Sequence, residues 1–198
     1  MDIGCGSGET LSQLSHIGWN GYGLDIDRDA IKLAKKRGLS QVRFGSYEDL
    51  KQYPDNFFDV VRLYFVIEHL VDPAGCLRVI HKKMKKHGVI IVGTGNTASV
   101  AARIFGTYWC HLDSPRHLFV FSIENLSKLV KSNGYTIKKT YCSSAGGIVC
   151  SIQYVVRNYC GWKLNLIGNP FIVALFYPLE RVLDLVQKGD TFVIEAAT

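Results

Sequence analysis

Three glycines alternate with small residues in DIGCGSGET (residues 2–10), and an acid, Asp2, stands just before them. Glycine between a strand and a helix lets backbone come close to a ligand, and amides at a helix N-terminus favour an anionic group. A dinucleotide fingerprint would read Gly-x-Gly-x-x-Gly. Counted from Gly4 its sixth position is Glu9, and counted from Gly6 it is Leu11, so that fingerprint fails. A phosphate-binding P-loop fails as well, because no Lys-Ser/Thr pair follows. A second chemical group lies further on: Asp25, at the end of GYGLDI. A carboxylate there accepts hydrogen bonds from both vicinal hydroxyls of a ribose. Asp2 can attract an ammonium group. The pattern asks for a ligand with a ribose and an ammonium group, and with no pyrophosphate to cradle.

Proton-transfer chemistry has fewer candidates. His69 sits in VIEHLVDP, and His111 and His117 sit in WCHLDSPRHLFVFS with Asp113, Arg116, Tyr108 and Trp109 close by. A positioned histidine can take the proton of an acceptor hydroxyl. Each also has a structural reading. His69 can hold a loop to the next helix, Arg116 and Asp113 can pair across a turn at Pro115, and Tyr108 and Trp109 can pack in a core. His16, His81 and His87 fall on predicted helices and read as surface residues.

Six cysteines (5, 76, 110, 142, 150 and 160) are scattered without a CxxC pair, which suits free thiols in a reducing cytosol. Metal-ligand spacing is missing too, so no metal is expected. The net charge is +6, and much of the excess lies in RVIHKKMKKHG at 78–88. Lysines at the C-terminal end of a helix suit its dipole, which is the simpler reading than a nucleic-acid surface.

The elements that would position these groups alternate. MDI is a strand stub, GETLSQLSHIG a helix, GYGLDI a strand, and DRDAIKLAKKRG a helix with Asp27 as N-cap. QVRF is a strand, and NFFDVVRLYFV contains another. DPAGCLRVIHKKMKKHG (72–88) reads as a helix with Pro73 in its first turn, and VIIVGTGN as a buried strand. SIENLSKLVKSNG (122–134) is a capped helix, YTIKKTYCS a strand, 146–188 a largely apolar helical insertion, and DTFVIEAA a final strand. Strands joined by helices imply right-handed crossovers and a doubly wound α/β fold. One domain is expected over 1–198: a donor-binding half at 1–95 and an acceptor-side half at 96–198. Only three residues precede Gly4, so the first strand is expected to be short of its usual length.

DIGCGSG, GYGLDI, FFDVV and VIEHLVDP, in this order, resemble the class I S-adenosylmethionine-dependent methyltransferases. The similarity is greatest to the small-molecule branch that includes the ubiquinone-biosynthesis O-methyltransferases. It runs from residue 1 to about 145, and GDTFVIEAA resembles the family's last strand. The resemblance implies a Rossmann-like, mostly parallel seven-stranded sheet with an antiparallel last strand and S-adenosylmethionine as methyl donor. It implies that Asp2, Gly4, Cys5, Gly6 and Gly8 frame the methionine part. Asp25 would bind the ribose and Ile26 would pack on adenine. Ser46, Tyr47 and Glu48 would meet the adenine edge, and Arg62, Leu63 and Tyr64, just past the fourth strand, would pass under the methionine chain through backbone.

A methyltransferase for a small or lipid-like molecule is the leading expectation, with His69 and His117 as catalytic candidates and a cytoplasmic setting. Within and just before this insertion, residues 140–156 and 164–179 carry no charge, are too short to span a bilayer and are flanked by Lys138, Lys139, Arg157 and Lys163, which points either to membrane-surface contact through 146–188 or to a helical lid over the sheet edge. A nucleic-acid methyltransferase and a non-catalytic donor-binding scaffold stay open as alternatives. Against the first, no Asn/Asp-Pro-Pro-Tyr/Phe motif follows the fourth strand, where the chain reads RLYFVIEHL.

Overall fold

The computed structural model describes residues 1–144 and 146–198. Its strands are β1 (Asp2–Ile3), β2 (Gly23–Asp25), β3 (Val42–Phe44), β4 (Phe58–Tyr64), β5 (Met84–Gly95), β6 (Thr136–Cys142) and β7 (Thr191–Ala197). They form one seven-stranded sheet in the order β3-β2-β1-β4-β5-β7-β6. The β2–β3, β1–β2, β1–β4 and β4–β5 pairs are parallel, and β7 runs antiparallel to both β5 and β6. The expected mostly parallel sheet with an antiparallel last strand is the one observed.

The helices are α1 (Glu9–His16), α2 (Arg28–Lys36), α3 (Pro73–Lys83), α4 (Val100–Phe105), α5 (Ile123–Ser132), α6 (Gly147–Cys160) and α7 (Pro170–Leu185). Leu11, Ile31 and Ala34 pack with Val42 on one face of the sheet. A larger core carries Leu77 and Ile80 of α3 and Leu126 and Val130 of α5 against Val61, Leu63, Ile90 and Val92. Right-handed crossovers that change direction at β1 require this division into two faces. A third cluster joins α4, α6 and α7 through Ala101, Trp109 and Ile148. Asp27 accepts from the amides of Asp29 and Ala30, and Ser122 forms a reciprocal box with Asn125. Caps of this kind contribute about 1 kcal/mol each.

Two expectations need correction. The helix expected over 72–88 ends at Lys83, and Met84–Gly88 opens β5. Met84 pairs with Phe58 and is 2% exposed, so burial of its side chain pulls this stretch into the sheet. The lysines there are spread over two elements. Lys83 binds Asp55 at 2.6 Å and Lys85 binds Asp59 at 2.8 Å, so half of the KKMKK cluster is paired with acids. Second, Arg62, Leu63 and Tyr64 lie inside β4 rather than past it. The insertion at 146–188 is helical as expected, and consists of α6 and α7.

Candidate active site

The strand order reverses between β1 and β4, and such a switch point opens a crevice at the carboxyl ends of the strands. The glycine loop leaves β1 at this crevice. Gly4 has φ +74° and its missing side chain leaves room for Val66: a Cβ would stand 2.3 Å from the valine Cγ2. Gly6, with φ +54°, faces open space. Its amide donates to Asp25 Oδ2 at 2.7 Å, and the Asp27 amide donates to Oδ1 at 2.8 Å. These two bonds fix the carboxylate at the loop's edge. Ile26 beside it is 77% exposed, an apolar surface with no protein packed on it. Across the crevice Ser46 caps the short 3-10 turn Tyr47–Gln52 and its Oγ accepts from the Glu48 amide. The Ser46 hydroxyl and the Glu48 amide are therefore engaged within the turn.

The side chains of Asp2, Cys5 and Leu63 make their contacts within the protein. Both oxygens of Asp2 accept from Arg62 Nη1, at 3.0 and 3.2 Å. Burial pushes the Asp2 carboxyl above its usual range and the neighbouring Arg62 charge opposes this. Its negative charge thus has a partner within the protein. The Cys5 side chain turns into the core beside α1 and α2, where burial pushes its thiol up to about 12. Only its backbone belongs to the loop. Arg62 lies over the Tyr64 ring at 4.5 Å on the sheet face, and Leu63 is fully buried. A cleft of about 680 Å³ lies below α1 among Asp2, Arg62, Leu14 and Phe57. It includes neither Asp25 nor the loop glycines.

Beyond β4 the chain turns sharply at Phe65, a non-glycine residue with φ +54°. It then makes the short turn Ile67–His69, which places Glu68 inside the protein at 1% exposure. Neither oxygen of the Glu68 carboxyl has a hydrogen-bond partner among the described residues. Burial raises its pKa, while its own backbone amide, Thr94, His117 and His69 nearby act in the opposite direction. One ring nitrogen each of His69 and His117 and a Glu68 oxygen lie within 4.8 Å of one another. The two imidazoles meet edge to face at 4.6 Å. His69 Nδ1 lies 2.9 Å from the Arg116 carbonyl and His117 Nδ1 lies 2.8 Å from the His111 carbonyl. A carbonyl only accepts, so each Nδ1 carries the proton and each neutral ring keeps its lone pair on Nε2. The Glu68 carbonyl in turn accepts from the Leu118 and Phe119 amides, which staples the histidine-bearing segment to the end of β4. His69 and His117 are the candidates the sequence marks, whereas Glu68 is found through the structure. Its adjacency to His69 was the available signal.

The remaining acceptor-side candidates divide. Trp109 is 4% exposed and its Nε1 donates to Asp190 at 2.5 Å, so it is core rather than pocket wall. His111 Nε2 lies 3.3 Å from the same buried Asp190, and its ring stacks on Phe65 with centroids 5.6 Å apart. Asp190, unassigned from sequence, thus holds the whole segment after α4. Arg116 Nε donates to Asp113 at 2.8 Å, the ion pair expected for a turn. Tyr108 accepts from Asn158 at 2.6 Å and packs against Tyr159 of α6. Two sets of side chains have the donor atoms for a metal ion, Glu68–His69–His117 and Cys110–His111–Asp190.

The family model described as a methyltransferase domain matches residues 1–140, which carry the glycine loop and Asp25 at the end of β2. The chain belongs to this family. Among curated relatives, the domain is 27% identical over 106 residues to a ubiquinone biosynthesis O-methyltransferase of Xanthomonas oryzae pv. oryzae, covering 51% of this chain and 44% of that one. The same-named protein of Hydrogenovibrio crunogenus is 26% identical over 144 residues, 70% of this chain and 54% of that one. The domain thus spans about half the length of these relatives. Among solved structures, an S-adenosylmethionine-dependent methyltransferase of Archaeoglobus fulgidus aligns with TM-score 0.68 at 22% identity, over 100% of this chain and 84% of that one. One from Mesorhizobium loti aligns with TM-score 0.62 at 15% identity, over 100% and 89%. At these identities the structures speak for the fold.

Family membership implies S-adenosylmethionine as the methyl donor. The crevice has features that fit it. Gly6 leaves open space where a side chain would stand, Asp25 presents a carboxylate at the strand end, and Ile26 offers an uncovered apolar surface beside it.

Proposed function

We propose that the domain transfers a methyl group from S-adenosylmethionine to a hydroxyl of a small, hydrophobic acceptor. The carrying observation is the buried, unpartnered Glu68 carboxyl set among His69 and His117 at the end of β4, the strand beside the glycine loop.

When bound, S-adenosylmethionine supplies a methyl carbon on a sulfonium, already activated for in-line attack. The protein's task is to hold the two reactants in line, keep water away and accept one proton. Asp25, Gly4, Gly6 and Gly8 hold the donor, with Ile26 and the backbone at Tyr47 on its adenine side. His117 is half-buried between exposed His69 and buried Glu68. Its Nε2 would take the acceptor's hydroxyl proton as the bound donor supplies the methyl group. Glu68 stabilises the imidazolium so formed, and His69 fixes the orientation of its neighbour. Leu118, Phe119 and Val120 follow His117 directly and are 53%, 42% and 42% exposed. An apolar strip beside the proton acceptor supports a hydrophobic substrate.

The test is transfer of labelled methyl from the donor to phenols of increasing alkyl chain length, with RNA and DNA as comparison acceptors. Transfer to the alkylphenols, unaffected by a chelator, is the expected result. Transfer to nucleic acid alone would overturn the acceptor class. Activity lost on chelation and restored by a divalent ion would reassign Glu68, His69 and His117 from proton transfer to metal binding.

A further inference from the structure

Helix α7 is built inside out. Its buried residues are two acids, Glu180 at 1% and Asp184 at 8% exposure. Phe171, Leu175, Leu179, Val182 and Leu185 are instead 85%, 76%, 49%, 57% and 82% exposed. At 3.6 residues per turn these five positions fall within an arc of about 120°, opposite the two acids. The inward acids are anchored. Glu180 accepts from the amides of Gly146 and Ile148 at 2.8 and 3.3 Å. Asp184 accepts from the Ser144 amide at 3.0 Å and from its hydroxyl at 2.7 Å. The helix therefore cannot roll its apolar stripe inward without stranding both carboxylates.

The exposed charges of the 146–188 insertion have one sign. Glu180 and Asp184 are the only acids between residues 146 and 188. Both are turned away from solvent, whereas Arg157, Lys163 and Lys188 are exposed. Trp162, 63% exposed, extends the apolar surface into the connection between α6 and α7. Among the described residues no helix is long and apolar enough to cross a membrane. An apolar face with aromatic and basic margins and no exposed acid matches the interface between headgroups and acyl chains of an anionic bilayer. The same helix pair contacts Tyr108 through Asn158 and Tyr159.

We propose that the α6–α7 pair is a membrane-surface anchor that lays the outer face of α7 on anionic lipid. The proposal is independent of the acceptor's identity. It also selects between the two readings of this insertion left by its sequence: the helices cover the end of the sheet with their inner side and offer the outer side to lipid.

The test is flotation of the full chain with phosphatidylcholine vesicles, with and without phosphatidylglycerol. The chain is expected to float with vesicles containing phosphatidylglycerol and to bind pure phosphatidylcholine at least tenfold more weakly. Phe171→Ser with Leu175→Ser should lower binding at least tenfold, with the circular dichroism spectrum and donor affinity unchanged. Arg157→Gln and Lys163→Gln should each lower it about fivefold. Failure of the unaltered chain to float with anionic vesicles overturns the proposal, as does equal binding by the double variant. A concentration-dependent dimer in lipid-free buffer, broken by the same double substitution, would assign the surface to a second copy instead.

Discussion

The Gly6 amide donates to the Asp25 carboxylate at 2.7 Å, which ties the tip of the glycine loop to the end of the neighbouring strand. The loop and the acid are therefore one unit, although nineteen residues separate them. The two glycines nearest this bond differ in what surrounds them. Gly4→Ala would drive a methyl to 2.3 Å from Val66, whereas Gly6→Ala meets open space and bears only its positive φ. Gly4→Ala should cost about 2–4 kcal/mol and Gly6→Ala about 1 kcal/mol, read from urea unfolding. Gly6→Ala should nevertheless weaken donor binding, since its methyl occupies the ligand side.

Glu68→Gln separates stability from activity. The carboxyl's pKa is raised in the folded protein, chiefly by burial. Its contribution is fully present below the ordinary glutamate pKa and is lost as pH rises through the raised one. The glutamine variant should therefore be more stable than the parent at neutral pH, by about 1–3 kcal/mol. The gap should close as pH falls through the carboxylate range. Turnover should drop in the same variant. Thermal melts at a series of pH values, with assays beside them, check both.

His117→Ala and His69→Ala should each lower kcat by about 10–100-fold while changing donor affinity less than threefold. His117→Ala should have the larger effect, since His117 lies half-buried between His69 and Glu68. Steady-state kinetics with donor titrations distinguish this from loss of the donor site. Unchanged turnover in both variants would leave alignment of the reactants as the main source of rate.

Arg62→Met leaves the buried Asp2 carboxylate without its partner. A loss of about 1–3 kcal/mol is expected, allowing for the partial exposure of Arg62. Adding Asp2→Asn should recover part of it, because the double variant no longer buries an unpaired charge. A double-mutant cycle by urea unfolding measures the coupling.

Much of the fold was legible because its signals are local. The glycine loop, Asp27, Ser122 and the apolar runs of β4, β5 and β7 each mark an element without reference to the rest of the chain. The errors arise where a distant partner decides. Met84 follows a lysine-rich helix end, and only its pairing with Phe58 and its burial show that the helix has stopped. The Asp2–Arg62 pair leaves no local signal, because sixty positions separate its partners. The residue sequence around Trp109 and His111 leaves pocket and core open, because Asp190, which contacts both, belongs to the far end of the chain. The acids of α7 gave no sign of facing inward, since their acceptor roles depend on amides of the loop before α6.

The central claim is that the crevice between the glycine loop and Asp25 binds S-adenosylmethionine, and calorimetric titration tests it most directly. The unaltered chain should bind both the donor and its demethylated product at one site per chain. Asp25→Ala should weaken both by at least tenfold, since it removes the ribose acceptor and the anchor of the Gly6 amide together. Absence of binding by the folded chain, or equal affinity in Asp25→Ala, would contradict the account.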